Sequence, residues 1–305
     1  MWSGQAEAFS DVVMSALHSR KRPCASKPDG QEKPKKTGYS HAFAAYLTAG
    51  SAALDWAFPH FCELLPPNPE PGMDNSMPIL LVPGLVSSPR IYAPVVPALW
   101  RFGPVTVANH IRDDHMALIA RRILAEAPPR FALAGHSMGG YIAFEIMRQA
   151  PERVAKLALI NTQARPDTPE ATARRRTMMA RAKGGEYRAV LDELFQGFVH
   201  PSRREDASLR QLVYDMGDEV GPEGFVRQQE AIISRPDSRP VLATIKCPTL
   251  VLSGDEDNTI PNALSVEMAN NLHNAKLVIL PNCGHLPQPE QPEATADALA
   301  EWLCS

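Results

Sequence analysis

The sequence predicts an α/β fold, a mostly parallel sheet of about six strands flanked by helices, with a helical insertion. Three observations lead to this expectation. From Ile79 onward, short apolar runs alternate with longer segments whose apolar residues recur near the helical period. The runs are continuously apolar, as in parallel strands that are buried on both faces. One interval, from Thr162 to Lys246, shows helical patterns without a convincing strand.

The apolar runs define the predicted strands, and the periodic segments define the predicted helices. Strands are expected at Ile79–Val82, Val105–Ala108, Phe131–Ala134, Leu157–Ile160, Thr249–Leu252 and Lys276–Leu280. Helices are expected at Ile91–Trp100, His115–Ala127, Gly139–Gln149, Asn262–Leu272 and Pro292–Leu303. Right-handed crossovers bring the carboxyl ends of parallel strands to one edge of the sheet, and we expect any functional site there.

The interval without strands, at about 163–246, is predicted to be a helical cap. An insertion between two sheet strands lies naturally over the edge where the strands end, so one interpretation is a lid. The alternative is an ordinary helical subdomain with no gating role. Helices within it are expected at Pro169–Lys183, Glu186–Phe198, Ser208–Val220 and Gly224–Ser234.

Composition narrows the function classes. The chain has 305 residues, of which 44% are hydrophobic and 21% charged, so it can bury a sizeable core. A net charge of -3 argues against a generally basic nucleic-acid binder. The chain has no apolar run long enough to span a membrane and no apolar signal-like segment at its N-terminus. We therefore expect no nucleic-acid partner, no stable membrane insertion and a cytoplasmic location.

Residues 1–72 differ from the rest and are predicted to be an N-terminal extension ahead of a domain at 73–305. Arg20–Lys36 is rich in Lys, Arg and Pro, a composition typical of disordered segments. His41–Phe61 carries one apolar stripe at helical spacing, so we expect this helix to pack on its own domain or on a partner, for which a second copy of the chain is a candidate. Binding to a membrane interface is the minor alternative. The segment ending at Gly72 is Pro-rich, as in an extended linker.

The strongest chemical signal is the pentapeptide Gly135-His136-Ser137-Met138-Gly139, which matches the pattern G-x-S-x-G. An apolar strand precedes it and an Ala- and Ile-rich helix follows it, the context that a nucleophile elbow requires. Glycines on both sides allow a sharp turn that projects a serine hydroxyl from the sheet edge. Ser137 is therefore the candidate nucleophile.

A serine at its free pKa is a poor nucleophile and needs a base, and an acid that orients the base. With this elbow the partners are expected in the order serine, acid, histidine. After the helical interval, a predicted strand runs into a turn that contains Asp255 and Asp257, of which we favour Asp257. His285 follows the last predicted strand, and it alone among the nine histidines occupies the third place in that order.

Acyl transfer also needs N–H donors for the developing oxyanion. One candidate is the N–H of Met138, directly after the nucleophile. The other is the N–H of Leu85, in the loop after the first strand, where Gly84 permits close backbone approach.

Four polar residues after the second strand could also be interpreted as a metal site. A loop at the start of a helix explains them better, and we expect no metal site. These residues are His110, Asp113, Asp114 and His115.

From about Pro78 to Leu303 the chain resembles the α/β-hydrolase superfamily, through the Gly84-Leu85 loop, the Gly135–Gly139 elbow, the Gly254–Pro261 turn and the Gly284-His285 pair. The resemblance implies a Ser137–His285–Asp257 triad, an oxyanion hole from Leu85 and Met138, a helical cap, and hydrolysis of small esters without a cofactor. Pro83 stands where most such proteins have histidine, which leaves the backbone donor intact.

The resemblance leaves the reaction open between three alternatives. A carboxylesterase is favoured by His136, because many relatives that cleave C–C bonds carry asparagine before the nucleophile. A C–C bond, lactone or enol-lactone hydrolase would use the same triad. A non-catalytic binding protein that keeps the fold is the third alternative.

Overall fold

The computed structural model describes residues 76–305. The predictions for the N-terminal basic segment, the amphipathic helix, self-association through that helix and the Pro-rich linker lie outside the described residues.

A parallel sheet forms the centre of this part of the chain. All paired strands run parallel, in the order β2-β1-β3-β4-β5-β6. The predicted α/β class and the sheet of about six strands are confirmed. The strands are β1 (Ile79–Val82), β2 (Val105–Val107), β3 (Phe131–His136), β4 (Val154–Ile160), β5 (Thr249–Gly254) and β6 (Ala275–Leu280).

Helices cover the sheet and fill the interval between β4 and β5. The longer helices are α1 (Met116–Glu126), α2 (Met138–Gln149), α3 (Pro169–Arg181), α4 (Tyr187–Phe198), α5 (Ala207–Ile233), α6 (Asn262–Asn271) and α7 (Pro292–Cys304). Single α-helical turns lie at Val96–Leu99, Arg239–Leu242 and Pro287–Glu290, 3₁₀ turns at Pro89–Tyr92, Trp100–Phe102, Pro151–Arg153 and Pro201–Arg203, and a π turn at Ala182–Glu186. Among the described helices, none is long and apolar enough to cross a membrane.

One predicted helix was wrong. Ile91–Trp100 was expected to be continuous, but the chain forms a 3₁₀ turn, a separate helical turn and a second 3₁₀ turn. Pro94 and Pro97 lie within this stretch, and a proline inside a helix removes a backbone donor and clashes with the preceding turn. The apolar spacing therefore reflects residues buried under short turns rather than one helix face.

The helical insertion consists mainly of α3, α4 and α5. The last two predicted segments, Ser208–Val220 and Gly224–Ser234, are the two parts of α5. They meet at Gly221, which has a φ of 69°, and the next residue is Pro222. The left-handed glycine and the missing N–H of the proline explain the bend between two otherwise helical parts.

The centre of the sheet is also its most buried part. Every residue of β1, β3 and β5 is buried, whereas edge strands β2 and β6 are partly exposed. The chain passes from β1 to β2 on one side and then returns to β3 on the other. Crevices at such topological switch points, at the carboxyl ends of the strands, are the usual ligand sites of open α/β sheets. The loops after β1 and β3 therefore face the same crevice.

Close packing between α2 and β1 generates a stability prediction. A Cβ atom on Gly139 would lie 2.1 Å from the carbonyl oxygen of Val82, whereas one on Gly197, near the end of α4, would meet nothing within 4 Å. We expect Gly139→Ala to lower the free energy of unfolding by about 1–3 kcal/mol or more, because the neighbouring backbone must move. Gly197→Ala, the control, should be neutral or stabilising by up to about 1 kcal/mol. Urea unfolding measures both, and equal stabilities would contradict the prediction.

Candidate active site

Ser137 lies at a sharp turn between β3 and α2. Its φ of 54° and ψ of -115° are rarely adopted by a residue with a side chain, and such strain costs about 1–3 kcal/mol. A Cβ on Gly135 would lie 2.3 Å from the Gly139 carbonyl oxygen, so the two chain segments approach too closely for any residue but glycine. The Ser137 N–H donates to Ile160 O at 2.8 Å, and the Thr162 hydroxyl donates to Ser137 O at 2.8 Å. These contacts hold the strained turn from both sides.

The three predicted residues Ser137, His285 and Asp257 are brought together. Ser137 Oγ lies 2.8 Å from His285 Nε2, and His285 Nδ1 lies 2.8 Å from Asp257 Oδ2. A carboxylate oxygen can only accept, so Nδ1 carries the imidazole proton and Nε2 is free to accept from the serine hydroxyl. All three residues are buried. The arrangement can transfer a proton from the serine to the imidazole.

Asp257 is held as a carboxylate. Its Oδ1 accepts from the N–H groups of Thr259 at 2.8 Å and Ile260 at 2.9 Å. Its Oδ2 accepts from Asn161 Nδ2 at 2.8 Å and from His285. Burial by itself would raise the pKa of Asp257. Electrostatic attraction to the imidazole of His285 and these hydrogen bonds outweigh burial and lower the pKa of Asp257 below its ordinary value.

The competing acid, Asp255, has a different place. Its Oδ1 accepts from the N–H of Cys283 at 3.0 Å, and its own N–H donates to Leu280 O at 2.9 Å. Asp255 therefore stabilises the start of the loop that carries His285, while Asp257 contacts the imidazole.

The imidazole of His285 lies between two other rings. Phe198, at the end of α4, stacks on it with ring centroids 5.3 Å apart, and the His136 ring lies 5.2 Å away. His136 Nε2 lies 2.8 Å from His285 O, which can only accept, so His136 carries its proton on Nε2. His136 is thus a structural neighbour of His285.

The loop after β1 lies against the nucleophile. A Cβ on Gly84 would lie 3.1 Å from Ser137 Cβ, so glycine permits the approach. Within the described residues, neither the N–H of Leu85 nor that of Met138 makes a hydrogen bond. Both predicted donors are therefore without an acceptor in the described part of the protein. Met138 is also the first residue of α2, where helix geometry leaves N–H groups without acceptors.

Two polar residues that support this loop were not identified as site residues from the sequence. Gln228, on α5, is fully buried, and its Oε1 accepts from the N–H of Val86 at 3.0 Å. Val86 has a φ of 48°, which is strained for a β-branched residue. His110 was considered only as a metal ligand, but its Nε2 donates to Gly84 O at 2.8 Å. Of its neighbours in sequence, Asp113 pairs with Arg122 at 2.7 Å.

Asn161 and Thr162 were also missed, although the sequence contained a signal. They follow β4 directly, and the carboxyl ends of parallel strands share one edge. Asn161 Nδ2 donates to Asp257 and, at 3.1 Å, to Gly284 O. Asn161 thus connects the acid to the loop of His285.

The buried histidines predict how stability depends on pH. Burial lowers the pKa of His110 to about 4, and burial together with the proximity of His285 lowers that of His136 to about 3. An unfolded histidine has a pKa of about 6.5. Below that pH, His110 and His136 bind protons in the unfolded chain but stay neutral in the folded protein. This contribution to stability is fully present above about pH 6.5 and is lost as the pH falls.

We therefore expect the wild-type protein to lose about 2 kcal/mol more unfolding free energy than His110→Asn between about pH 7 and pH 5. Urea unfolding at the two pH values measures the difference. The comparison concerns the change with pH, so a uniform destabilisation of the variant does not affect it. Equal losses in the two proteins would contradict a neutral, buried His110.

Known proteins resemble this chain over most of its length. It is 29% identical to a pimeloyl-[acyl-carrier protein] methyl ester esterase of Nitrosomonas europaea over 199 residues, 61% of this chain and 76% of that one. It is 28% identical to a putative carbamate hydrolase, RutD, of Azorhizobium caulinodans over 220 residues, 66% of this chain and 81% of that one. A solved thermophilic esterase from Thermogutta terrifontis has a TM-score of 0.68 at 30% identity, over 74% of this chain and 89% of that one.

The chain also matches a sequence model of the α/β hydrolase family. The match covers residues 50–298, well over half of the chain. The chain belongs to the α/β hydrolase family.

Proposed function

We propose that the protein is a serine hydrolase that cleaves carboxylic esters of small soluble substrates through an acyl-enzyme. The observation that carries this proposal is the continuous path of hydrogen bonds from Ser137 through His285 to Asp257, each 2.8 Å long. In this geometry a buried base lies within reach of the hydroxyl proton, and a carboxylate fixes the base in the required tautomer.

The first half of the reaction forms the acyl-enzyme. His285 Nε2 takes the proton of Ser137 as Oγ attacks the ester carbonyl carbon. The carboxylate of Asp257 stabilises the imidazolium that results. The N–H groups of Leu85 and Met138 donate to the oxyanion of the tetrahedral intermediate, which then expels the alcohol with the proton from His285.

The second half releases the acid. Water enters the place that the alcohol has left, and His285 removes a proton from it as it attacks the acyl carbon. The same two N–H groups stabilise the second oxyanion, and its collapse breaks the bond between the acyl carbon and Ser137 Oγ, which takes back the proton from His285. Phe198 covers one face of the imidazole, so the helical insertion contributes part of the wall of the site. We propose that the insertion acts as a cap.

Similarity to known proteins is consistent with ester hydrolysis. One curated relative is described as a methyl ester esterase, and the solved structure that is 30% identical is described as an esterase. A panel of simple esters of increasing acyl length, with lactones and ring-fission products, would separate an esterase from a lactone or C–C hydrolase. A fluorophosphonate probe that leaves the folded protein unlabelled would favour a non-catalytic binding protein.

Replacement of the nucleophile gives the most direct test. Ser137→Ala should reduce p-nitrophenyl ester hydrolysis by about 10⁴-fold or more, because no other group can form the acyl-enzyme. A fluorophosphonate probe should label the wild-type protein and not the variant. Thermal unfolding serves as the control and should change little, since alanine keeps the backbone and loses one hydroxyl. Wild-type turnover by the variant would refute the proposal.

The two candidate acids provide a matched pair. Asp257→Asn should lower kcat by about 10⁴-fold, because an amide cannot hold His285 in the tautomer with the proton on Nδ1. Asp255→Asn should retain kcat within a few-fold, since its side chain accepts only from the Cys283 N–H. Steady-state kinetics on the same ester measures both. A larger loss in Asp255→Asn than in Asp257→Asn would reverse the assignment of the acid.

A further inference from the structure

A buried carboxylate lies behind the loop that carries His285. Glu290 ends the helical turn Pro287–Glu290 and is 5% exposed. Its Oε1 accepts from the N–H of Gly284 at 3.2 Å and from the N–H of Leu286 at 3.0 Å. These are the residues directly before and after His285, so one oxygen atom holds the backbone on both sides of the histidine.

The second oxygen joins this loop to the helical insertion. Glu290 Oε2 accepts from the N–H of His200, just after α4, at 2.7 Å. Nearby, the N–H of His285 itself donates to Phe198 O at 2.6 Å, and the Phe198 ring stacks on the imidazole. The loop is therefore fixed to the end of α4 through backbone groups at three successive residues, 284, 285 and 286.

The Glu290 side chain is suited to holding backbone groups in place. All the hydrogen bonds of its side chain are accepted from backbone N–H groups, and none of them involves Ser137 or the ring of His285. Arg203, the nearby cation, contacts the Glu290 backbone oxygen at 3.5 Å rather than the carboxylate. Burial raises the pKa of Glu290, against the opposing effect of these hydrogen bonds. A buried carboxylate that is not hydrogen-bonded to a cation is costly, so its three backbone donors are the main interactions that compensate.

We propose that Glu290 is a positioning residue, which sets the place of His285 relative to Ser137 and Asp257 by accepting from the N–H groups that flank the histidine. The proposal rests on the proposed function, in which His285 is the base. Proton transfer over 2.8 Å is sensitive to small displacements, and a misplacement of about 1 Å can cost 100-fold in rate.

The test uses Glu290→Gln and Glu290→Ala in the full chain. A glutamine amide can accept through only one of its two polar atoms, so it loses the His200 donor or the pair at Gly284 and Leu286, and alanine loses all three. We expect kcat and kcat/KM to fall together by about ten- to a hundredfold, more in Glu290→Ala, with KM within about twofold. Glu290→Asp, which keeps the charge on a shorter chain, should lie between wild type and Glu290→Gln.

A matched control separates positioning from stability. Asp167 is an acid whose side chain is only 3% exposed, and it pairs with Arg235 at 2.9 Å and with Arg175 at 3.2 Å rather than with the loop of His285. Asp167→Asn should lower the melting temperature while kcat stays within about twofold of wild type. If both larger changes at Glu290 prevent folding, Glu290→Asp carries the test with the same measurements.

A second readout does not depend on turnover. The proton between His285 Nδ1 and Asp257 should give a downfield NMR signal, assigned by its loss in Asp257→Asn. We expect this signal to shift or broaden in the Glu290 variants and to be unchanged in Asp167→Asn. If no ester were turned over by wild type, the proposed function would fail while this readout still tested Glu290. An unchanged signal with wild-type kcat in folded Glu290→Gln and Glu290→Ala would overturn the proposal.

Discussion

The contact that the rest of the site depends on is the approach of backbone to backbone at the turn between β3 and α2. Gly135 and Gly139 allow this approach because any Cβ would overlap a carbonyl group of α2 or of β1. The turn forces Ser137 into a left-handed φ, which moves its hydroxyl out of the sheet and places the Met138 N–H at the start of α2. The strain, about 1–3 kcal/mol, is compensated by the burial of β3 and of most of α2 around it. A strained residue in the most buried part of the sheet can be held far more firmly than one in a surface loop.

The features that could be predicted from the sequence are those whose signals are local. The apolar runs and the glycine spacing of the elbow each extend over only a few residues of sequence. They are sufficient to predict the sheet and the position of Ser137. His285 followed because the order of strands and loops fixes which segments meet at the sheet edge. Which of Asp255 and Asp257 contacts the histidine depends on the geometry of their turn. Only Asp257 reaches Asn161 and His285. The predicted helix at Ile91–Trp100 is also wrong for a local reason, because Pro94 and Pro97 interrupt the backbone hydrogen bonds that a continuous helix needs.

The supporting residues could not be predicted because their partners are distant in sequence and their own neighbours are ordinary. Gln228 meets Val86 across 142 residues, and Glu290 meets His200 across 90. Both side chains lie in segments whose composition is typical of exposed helix or loop. Their function arises from desolvation, since a polar group becomes a strong and specific partner only after the fold has removed its water. The sequence contains the groups, but only the packed structure determines which of them are buried together.

The contacts of the helical insertion restrict how it could open. Gln228 on α5 holds the loop that carries Leu85, while Phe198 and His200 at the end of α4 hold the loop that carries His285. A rigid movement of the whole insertion would break both sets of hydrogen bonds, and buried groups left without partners cost about 1–3 kcal/mol each. It would also release the base and the oxyanion loop just as substrate arrived. A motion that admits substrate and keeps the site assembled must therefore leave the end of α4 and the Gln228 region of α5 in place, and take place in other parts of the insertion.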